Sequence, residues 1–157
     1  MEEEFHNHMR IPWHDYTRKS IGRPITEASL SEKASIIGRT GIMLLSCGTG
    51  AWRVRSSMNT LARELGITCT ADIGLLSIEY TCIDGGNCYT ESLCLFNTGV
   101  NTSKLYRMEL FVNKFSKNCK KMSGDELHTL LDQIHEIHGF YSPPFLGLAA
   151  AVACSAF

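Results

Sequence analysis

The segment LSIEYTCIDGGNCYTESLCLF, residues 76–96, is the strongest indication of the fold of this chain. Its first half alternates, which places Leu76, Ile78, Tyr80 and Cys82 on one face of a β-strand. Residues 84–87, Asp-Gly-Gly-Asn, have turn chemistry and residues 89–96 return as a partner strand, so the stretch predicts a hairpin. The alternating segment ITCTA, residues 67–71, adds a further strand. We therefore expect a three-stranded, mainly antiparallel sheet.

Segments with a helical spacing of apolar residues lie on both sides of these strands. They run from Ala34 to Leu45, Val54 to Leu65, Leu105 to Phe115 and Leu127 to Ile137. Ser29 with Glu32, and Ser123 with Glu126, have the spacing of a capping box at a helix start. The predicted order is α-α-β-β-β-α-α. This order is typical of an α+β domain with about four helices flanking the sheet, and it argues against a βαβ dinucleotide-binding fold.

The sequence divides into three parts. Residues 1–28 mix charges, histidines, aromatics and prolines without periodicity, and they are predicted to be an irregular arm that either packs on the domain or stays mobile. Residues 29–141 are predicted to form the soluble α+β domain. Residues 142–157 differ from both, because no Asp, Glu, Lys or Arg follows Glu136.

The uncharged end allows two interpretations. One is an Ala-rich helix packed into the core of a soluble domain. The other is the start of a truncated transmembrane helix, since residues 143–157 fall short of the about 20 apolar residues that span a bilayer. The small residues at 147 and 149–151 and the lack of a polar stripe favour the membrane interpretation.

Composition argues against several classes of function. The chain has 15 basic and 16 acidic residues, a balance that does not fit a nucleic-acid partner. Its seven cysteines include no CxxC pair, which indicates reduced thiols in the cytosol and not a secreted disulfide framework. The acidic, His-containing N-terminus has neither the basic nor the apolar region of a secretion signal.

The segment LLSCGTGAWRV, residues 44–54, carries a family resemblance through Leu44, Leu45, Gly48, Arg53 and Val54. The resemblance continues through ARELGI (62–67), TGVNTSKL (98–105), ELHTLLDQI (126–134) and the uncharged end, in that order. In these residues the chain resembles the N-terminal cytoplasmic domain of the threonine/serine exporter family, over roughly residues 31–157. The threonine at position 49 departs from the family pattern, which usually has alanine there.

The resemblance implies part of an integral-membrane exporter of small polar metabolites, either threonine- or serine-type amino acids or dicarboxylates. It implies a place in the cytoplasmic membrane with this domain facing the cytoplasm, in a gating or assembly role. The expected partners are the small-molecule substrate, the membrane, and the remaining transmembrane domain or a partner subunit, and a homo-oligomer is allowed. The alternative is a soluble small-molecule-binding or hydrolase-like domain with a self-buried C-terminal helix.

Three residues are predicted to contact the substrate: Gly48, Arg53 and Asn101. A Gly-rich turn at Gly48 is followed by a helix start that contains Arg53. The free backbone N–H groups of a helix start, next to a guanidinium, form a site that favours binding of a carboxylate. The third glycine of a dinucleotide fingerprint and the Lys-Ser/Thr pair of a nucleotide loop are both missing, so an interhelical turn is the simpler interpretation. Asn101 belongs to the TGVNTSKL segment of the resemblance.

No enzymatic, cofactor or metal site is predicted. His128, Asp132, His135 and His138 share one side of the last helix, where we expect a solvated polar face and not a metal site. No nucleophile elbow, zinc-protease helix or local Cys-His signature occurs in the sequence.

Polar residues of the hairpin are assigned structural positions. Glu79 and Glu91, one on each strand, are expected on the exposed face of the sheet, and the alternative is a paired acid/base site. Cys82 and Cys88 flank the hairpin, where they could face each other, but the favoured interpretation is that they are buried small hydrophobes.

Overall fold

The computed structural model describes residues 11–18, 22–96 and 98–137. Within this part of the chain the helices are α1 (Leu30–Ser46), α2 (Ala51–Glu64), α3 (Thr102–Asn118) and α4 (Gly124–His135), and the strands are β1 (Thr68–Ile73), β2 (Ser77–Asp84) and β3 (Asn87–Cys94). The strands form one antiparallel sheet in the order β1-β2-β3. The predicted α+β class and the element order α-α-β-β-β-α-α are both confirmed.

Helix α1 is the centre of the fold. Every residue from Glu32 to Leu45 is buried, because the sheet, α2 and α4 all pack around this helix. The predicted capping boxes are present at the starts of α1 and α4, where the serine side chain accepts from the backbone N–H of the glutamate and the glutamate accepts in return. Local sequence signals thus fix where these two helices begin.

A single tyrosine joins the sheet to α1. Tyr80 is 1% exposed, and its hydroxyl lies 2.6 Å from Glu91 Oε2 and 3.1 Å from the Ala34 carbonyl oxygen. The ring lies so close to α1 that a Cβ at Gly38 would come within 2.2 Å of the hydroxyl oxygen. The glycine at position 38 therefore makes room for this contact.

The register of the hairpin corrects two predictions. Tyr80 pairs with Glu91 and Cys82 pairs with Tyr89, so Glu91 lies on the covered face of the sheet, whereas Glu79 is exposed as expected. Glu91 accepts hydrogen bonds from Tyr80 and from Tyr16, which explains how a carboxylate is accommodated there.

The cysteine prediction is wrong for Cys88, which is exposed and opposite Ile83. Cys82 is buried and lies directly opposite Cys69 of β1. The six described cysteines are free.

The described parts of the first 28 residues contribute to the core. A 3-10 turn, Trp13–Thr17, packs on α1 and α4, and Trp13 is only 3% exposed. Ile25 is fully buried and its backbone N–H donates to the Met122 carbonyl oxygen at 2.8 Å.

No helix within residues 11–18, 22–96 and 98–137 is long and apolar enough to cross a membrane. The segment predicted to begin a transmembrane helix, residues 142–157, lies outside the described residues.

Candidate functional site

Three connections meet at one end of the domain, here named the loop end. They are the α1–α2 turn (47–50), the β1–β2 turn (74–76) and the segment between β3 and α3 (95–101, without residue 97). Two backbone hydrogen bonds join them: the Gly99 N–H donates to the Ser46 carbonyl at 3.1 Å, and the Leu95 N–H donates to the Leu76 carbonyl at 2.6 Å. The loop end is therefore a connected structure whose segments are joined by backbone hydrogen bonds.

An open cavity of about 410 Å³ lies between the α1–α2 and β1–β2 turns. Its lining consists of Leu45, Gly48, Thr49, Gly50, Ala51, Ile73, Gly74, Leu75 and Thr98. None of these lining residues carries a charge. The cavity is thus better suited to apolar or neutral groups than to the ammonium and carboxylate of an amino acid.

Gly48 is the predicted site residue that lines this cavity. Its φ is +76°, a left-handed conformation that closes the turn after α1 and that glycine adopts without strain. A Cβ at this position would meet Gly99 and Val100 at ordinary contact distances of 3.5–3.6 Å. The requirement for glycine here is therefore conformational.

Arg53 lies in the first turn of α2, outside the lining of the cavity. Its guanidinium nitrogen is 3.0 Å from Glu109 Oε1 of α3 and its guanidinium carbon lies 5.3 Å from the centre of the Trp52 ring. Both partners of the ion pair are about 40% exposed. The structure thus gives Arg53 a position between α2 and α3, with its charge already matched by a carboxylate.

Asn101 connects two elements through both ends of its side-chain amide. Its oxygen accepts from the Lys104 backbone N–H at 2.9 Å, which caps α3, and its nitrogen donates to the Ile137 carbonyl at 3.1 Å. The end of the described chain is thereby fixed to the start of α3. The structure does not bring Gly48, Arg53 and Asn101 together around one cavity.

A buried polar network lies in another part of the domain, between α1 and α4. Arg39, 5% exposed, donates from Nη1 to the His128 carbonyl at 3.0 Å and from Nη2 to Asp132. The same Nη1 is 3.2 Å from His128 Nδ1, and Ser35 Oγ is 3.0 Å from His128 Nε2. Because a guanidinium can only donate, His128 Nδ1 must accept and Nε2 carries the proton. His128 is therefore neutral in the fold.

His14, in the 3-10 turn, extends this network to the N-terminal segment. Its two ring nitrogens face Asp125 at 2.5 Å and Asp132 at 2.9 Å. Only an imidazolium donates from both nitrogens, so the geometry favours the protonated ring. Together these residues form the Arg39 network, which consists of Ser35, Arg39, His128, Asp132 and His14.

The pKa values follow from these contacts. Burial, with the nearby Arg39 charge, lowers the pKa of His128 to about 3. Hydrogen bonds to Asp125 and Asp132 raise the pKa of His14 above 6.5. Burial alone would raise the pKa of Asp132, but hydrogen bonds from Arg39 and His14 outweigh it and lower that pKa.

The solvated polar face predicted for α4 is wrong at His128, which is fully buried. His135 is partly buried, and His138 lies outside the described residues. Within the described ranges no group of three His, Cys, Asp or Glu side chains could hold a metal ion. In the Arg39 network, His128 and Asp132 bind the arginine side chain and not a metal ion. The network therefore joins α1 to α4.

Ser35 and His128 are a hydroxyl and an imidazole in contact, as in the catalytic pair of a hydrolase, but a substrate cannot reach them. Both residues are fully buried, and the Ser35 hydroxyl donates to the Glu32 carbonyl at 2.8 Å. The group at His128 Nδ1 is a cation, whereas a catalytic histidine needs an acceptor there to hold its proton. This geometry does not fit nucleophilic catalysis.

Sequence reasoning missed Arg39 as a partner in this network. The available signal was one charged residue inside the apolar run of α1, SIIGRTGIMLL at 35–45. A lone charge in such a helix predicts a buried ion pair, but not its partner.

Stability is expected to fall on acidification below pH 6.5 because of His128. Its folded pKa of about 3 is below the ordinary 6.5, so the unfolded chain binds the proton first. The contribution of neutral His128 to the free energy of unfolding is complete above pH 6.5 and is lost as pH falls towards 3. The free energy of unfolding should fall by at most about 1.4 kcal/mol per pH unit. Urea unfolding between pH 6.5 and about 5 would measure this slope, and His128→Asn should flatten it.

His14 should act with the opposite sign. Its raised pKa means that its contribution is complete below pH 6.5 and is lost as pH rises through the folded value. His14→Asn should therefore weaken the alkaline decline and leave the acid decline in place. An unchanged acid slope in His128→Asn would contradict the assignment of that slope to His128.

Comparison with known proteins gives one match. A family model described as "Putative threonine/serine exporter" matches residues 35–157, which include all three predicted site residues and the Arg39–His128 contact. No curated protein and no solved structure matches the chain.

Proposed function

Because the chain belongs to the threonine/serine exporter family, whose members are transporters and not enzymes, we propose that residues 29–141 form a cytoplasmic domain of a membrane exporter. This domain gates or assembles the transporter and does not conduct the substrate. The transported compound is a small polar metabolite, a threonine- or serine-type amino acid or a dicarboxylate. The transport path belongs to the remaining transmembrane domain or to a partner subunit.

The observation that supports this role is the double hydrogen bond of Asn101. It fixes the start of α3 to Ile137, the first residue of the uncharged stretch of sequence that follows Glu136. The Gly99–Ser46 hydrogen bond connects the same segment to the α1–α2 turn. In this role, a displacement of the uncharged stretch is transmitted to the loop end through the Asn101–Ile137 and Gly99–Ser46 hydrogen bonds.

The cavity also favours gating or assembly over substrate capture. A zwitterionic amino acid requires charged or strongly polar partners for both of its charges. The lining of the cavity has no charged side chain, and Arg53 is paired with Glu109. Contact of the substrate with Gly48, Arg53 or Asn101 stays a prediction.

Asn101→Asp separates the two roles of Asn101. Aspartate caps a helix as well as asparagine does, so α3 stays capped, but it has no N–H to donate to Ile137. In cells that contain the complete exporter and accumulate threonine, serine or succinate, we expect efflux to fall about 2- to 30-fold, the range of a 0.5–2 kcal/mol coupling. Membrane abundance of the exporter should not change.

Matched variants make the result specific. Asn59→Asp makes the same chemical change at an exposed position of α2 and should leave efflux unchanged. Deletion of residues 1–138 should abolish efflux, and Arg53→Ala tests the predicted substrate contact. Normal efflux from both Asn101→Asp and the deletion variant would overturn the proposed role.

A further inference from the structure

Three large apolar side chains at the loop end are exposed to solvent. Leu75 of the β1–β2 turn is 86% exposed, Val100 before α3 is 79% exposed, and Trp52, the second residue of α2, is 68% exposed. These three residues are named the apolar tips. They are more exposed than any other large hydrophobic residue of the described chain. Exposure of such side chains at three neighbouring turns indicates an interaction surface.

The apolar tips are close in space because the cavity connects them. Leu75 lines the cavity together with Gly48 and Ala51, and Ala51 is the residue before Trp52. A Cβ on Gly48 would be 3.6 Å from Val100 Cγ2. The surface is therefore one patch around an uncharged cavity, with the Arg53–Glu109 ion pair beside the Trp52 ring.

The patch lies beside the point where the uncharged part of the sequence begins. Val100 precedes Asn101, whose side chain holds the Ile137 carbonyl. No Asp, Glu, Lys or Arg occurs after Glu136, so the uncharged part of the sequence starts at the residue that Asn101 holds. A membrane entered by that part of the chain would face the loop end.

We propose that the apolar tips insert into the interface of the lipid bilayer, so that the loop end is a membrane-docking surface. Tryptophan favours the level of the headgroups, and leucine and valine favour the acyl boundary about 5–10 Å below it. The uncharged lining of the cavity avoids the cost of placing an ion near the acyl chains. The proposal rests on the proposed function, since it gives the domain a fixed orientation against the membrane of the exporter.

The chain contains its own probe of this contact. It has two tryptophans, of which Trp13 is 3% exposed in the core and Trp52 is 68% exposed at the tips. The full chain is reconstituted into vesicles of phosphatidylcholine and phosphatidylglycerol with brominated or ordinary acyl chains. In Trp13→Phe we expect bromine to remove more than about half of the Trp52 emission, because the ring lies within reach of the acyl boundary. In Trp52→Phe the emission of Trp13 should change little.

A tryptophan placed elsewhere tests whether the effect belongs to this patch. In a chain without both native tryptophans, Leu75→Trp should be quenched by brominated lipid. Ile83→Trp should not be quenched, since Ile83 is also exposed but lies near the far end of β2, about 20 Å along the strand from Ser77, where β2 begins. Equal quenching at both positions would overturn the docking surface.

The remaining outcomes separate this inference from the proposed function. A chain that floats with the vesicles while acrylamide, and not bromine, quenches Trp52 would overturn the inference and leave membrane attachment in place. Protection of Trp52 from both quenchers would show that protein covers the tips, for example a second copy, and would also overturn it. If the full chain did not float with the vesicles, the docking surface would be overturned. Loss of efflux in Asn101→Asp would then still support the proposed function.

Discussion

Replacement of Gly38 by alanine is expected to destabilise the domain by about 3 kcal/mol, from overpacking and loss of a buried hydroxyl's partners. The new Cβ would lie 2.2 Å from the Tyr80 hydroxyl oxygen and 2.4 Å from Tyr80 Cζ. The ring is 1% exposed and is held between α1 and the sheet, so it cannot move into solvent. Its displacement would also break the contacts with Glu91 and the Ala34 carbonyl.

Urea unfolding followed by circular dichroism measures this loss. Gly86→Ala is the matched control, because a Cβ at Gly86 in the hairpin turn meets nothing within 4 Å. We expect the control to change the free energy of unfolding by less than about 0.5 kcal/mol. A Gly38→Ala chain as stable as the control would show that Tyr80 does not require the glycine.

Loss of the Asp132 carboxylate is expected to cost about 2–3 kcal/mol of stability. Asp132→Ala would leave the guanidinium of Arg39, 5% exposed, without its ionised partner, and would remove one of the two carboxylates that face His14. Breaking a fully buried pair typically costs about 3–5 kcal/mol. The expected value is lower because Asp132 is 45% exposed and water screens part of the interaction.

A double-mutant cycle identifies the cause of this loss. Arg39→Met fills similar space without a charge, so Asp132→Ala should cost clearly less in that background than in the native chain. Asp72→Ala, at an exposed position of β1, removes a carboxylate without affecting α1 and should change little. Additive effects of Arg39→Met and Asp132→Ala would contradict direct coupling between the two side chains.

The candidate site was partly predictable from sequence. The glycine-rich turn after α1 was correctly placed, because the positive φ of Gly48 is a local property of a helix end. The roles of Arg53 and Asn101 depend on Glu109 and Ile137, which lie far away in the sequence. Pattern analysis of one segment contains no information about such partners.

The class and order of the elements follow from local patterns in the sequence. Alternation in residues 76–83, the Gly-rich turn after Asp84 and the two Ser–Glu capping boxes act over a few residues, so they were confirmed at the predicted places.

Which polar groups are buried depends on packing between segments that are distant in the sequence. Arg39 and His128 are 89 positions apart, and they meet because α1 is surrounded on all sides and α4 packs against it. Glu91, half-buried on the covered face of the sheet, is accommodated there because the hydroxyls of Tyr16 and Tyr80 donate to it. The burial of a charge depends on the partners that compensate its desolvation, and those partners are brought together only by packing.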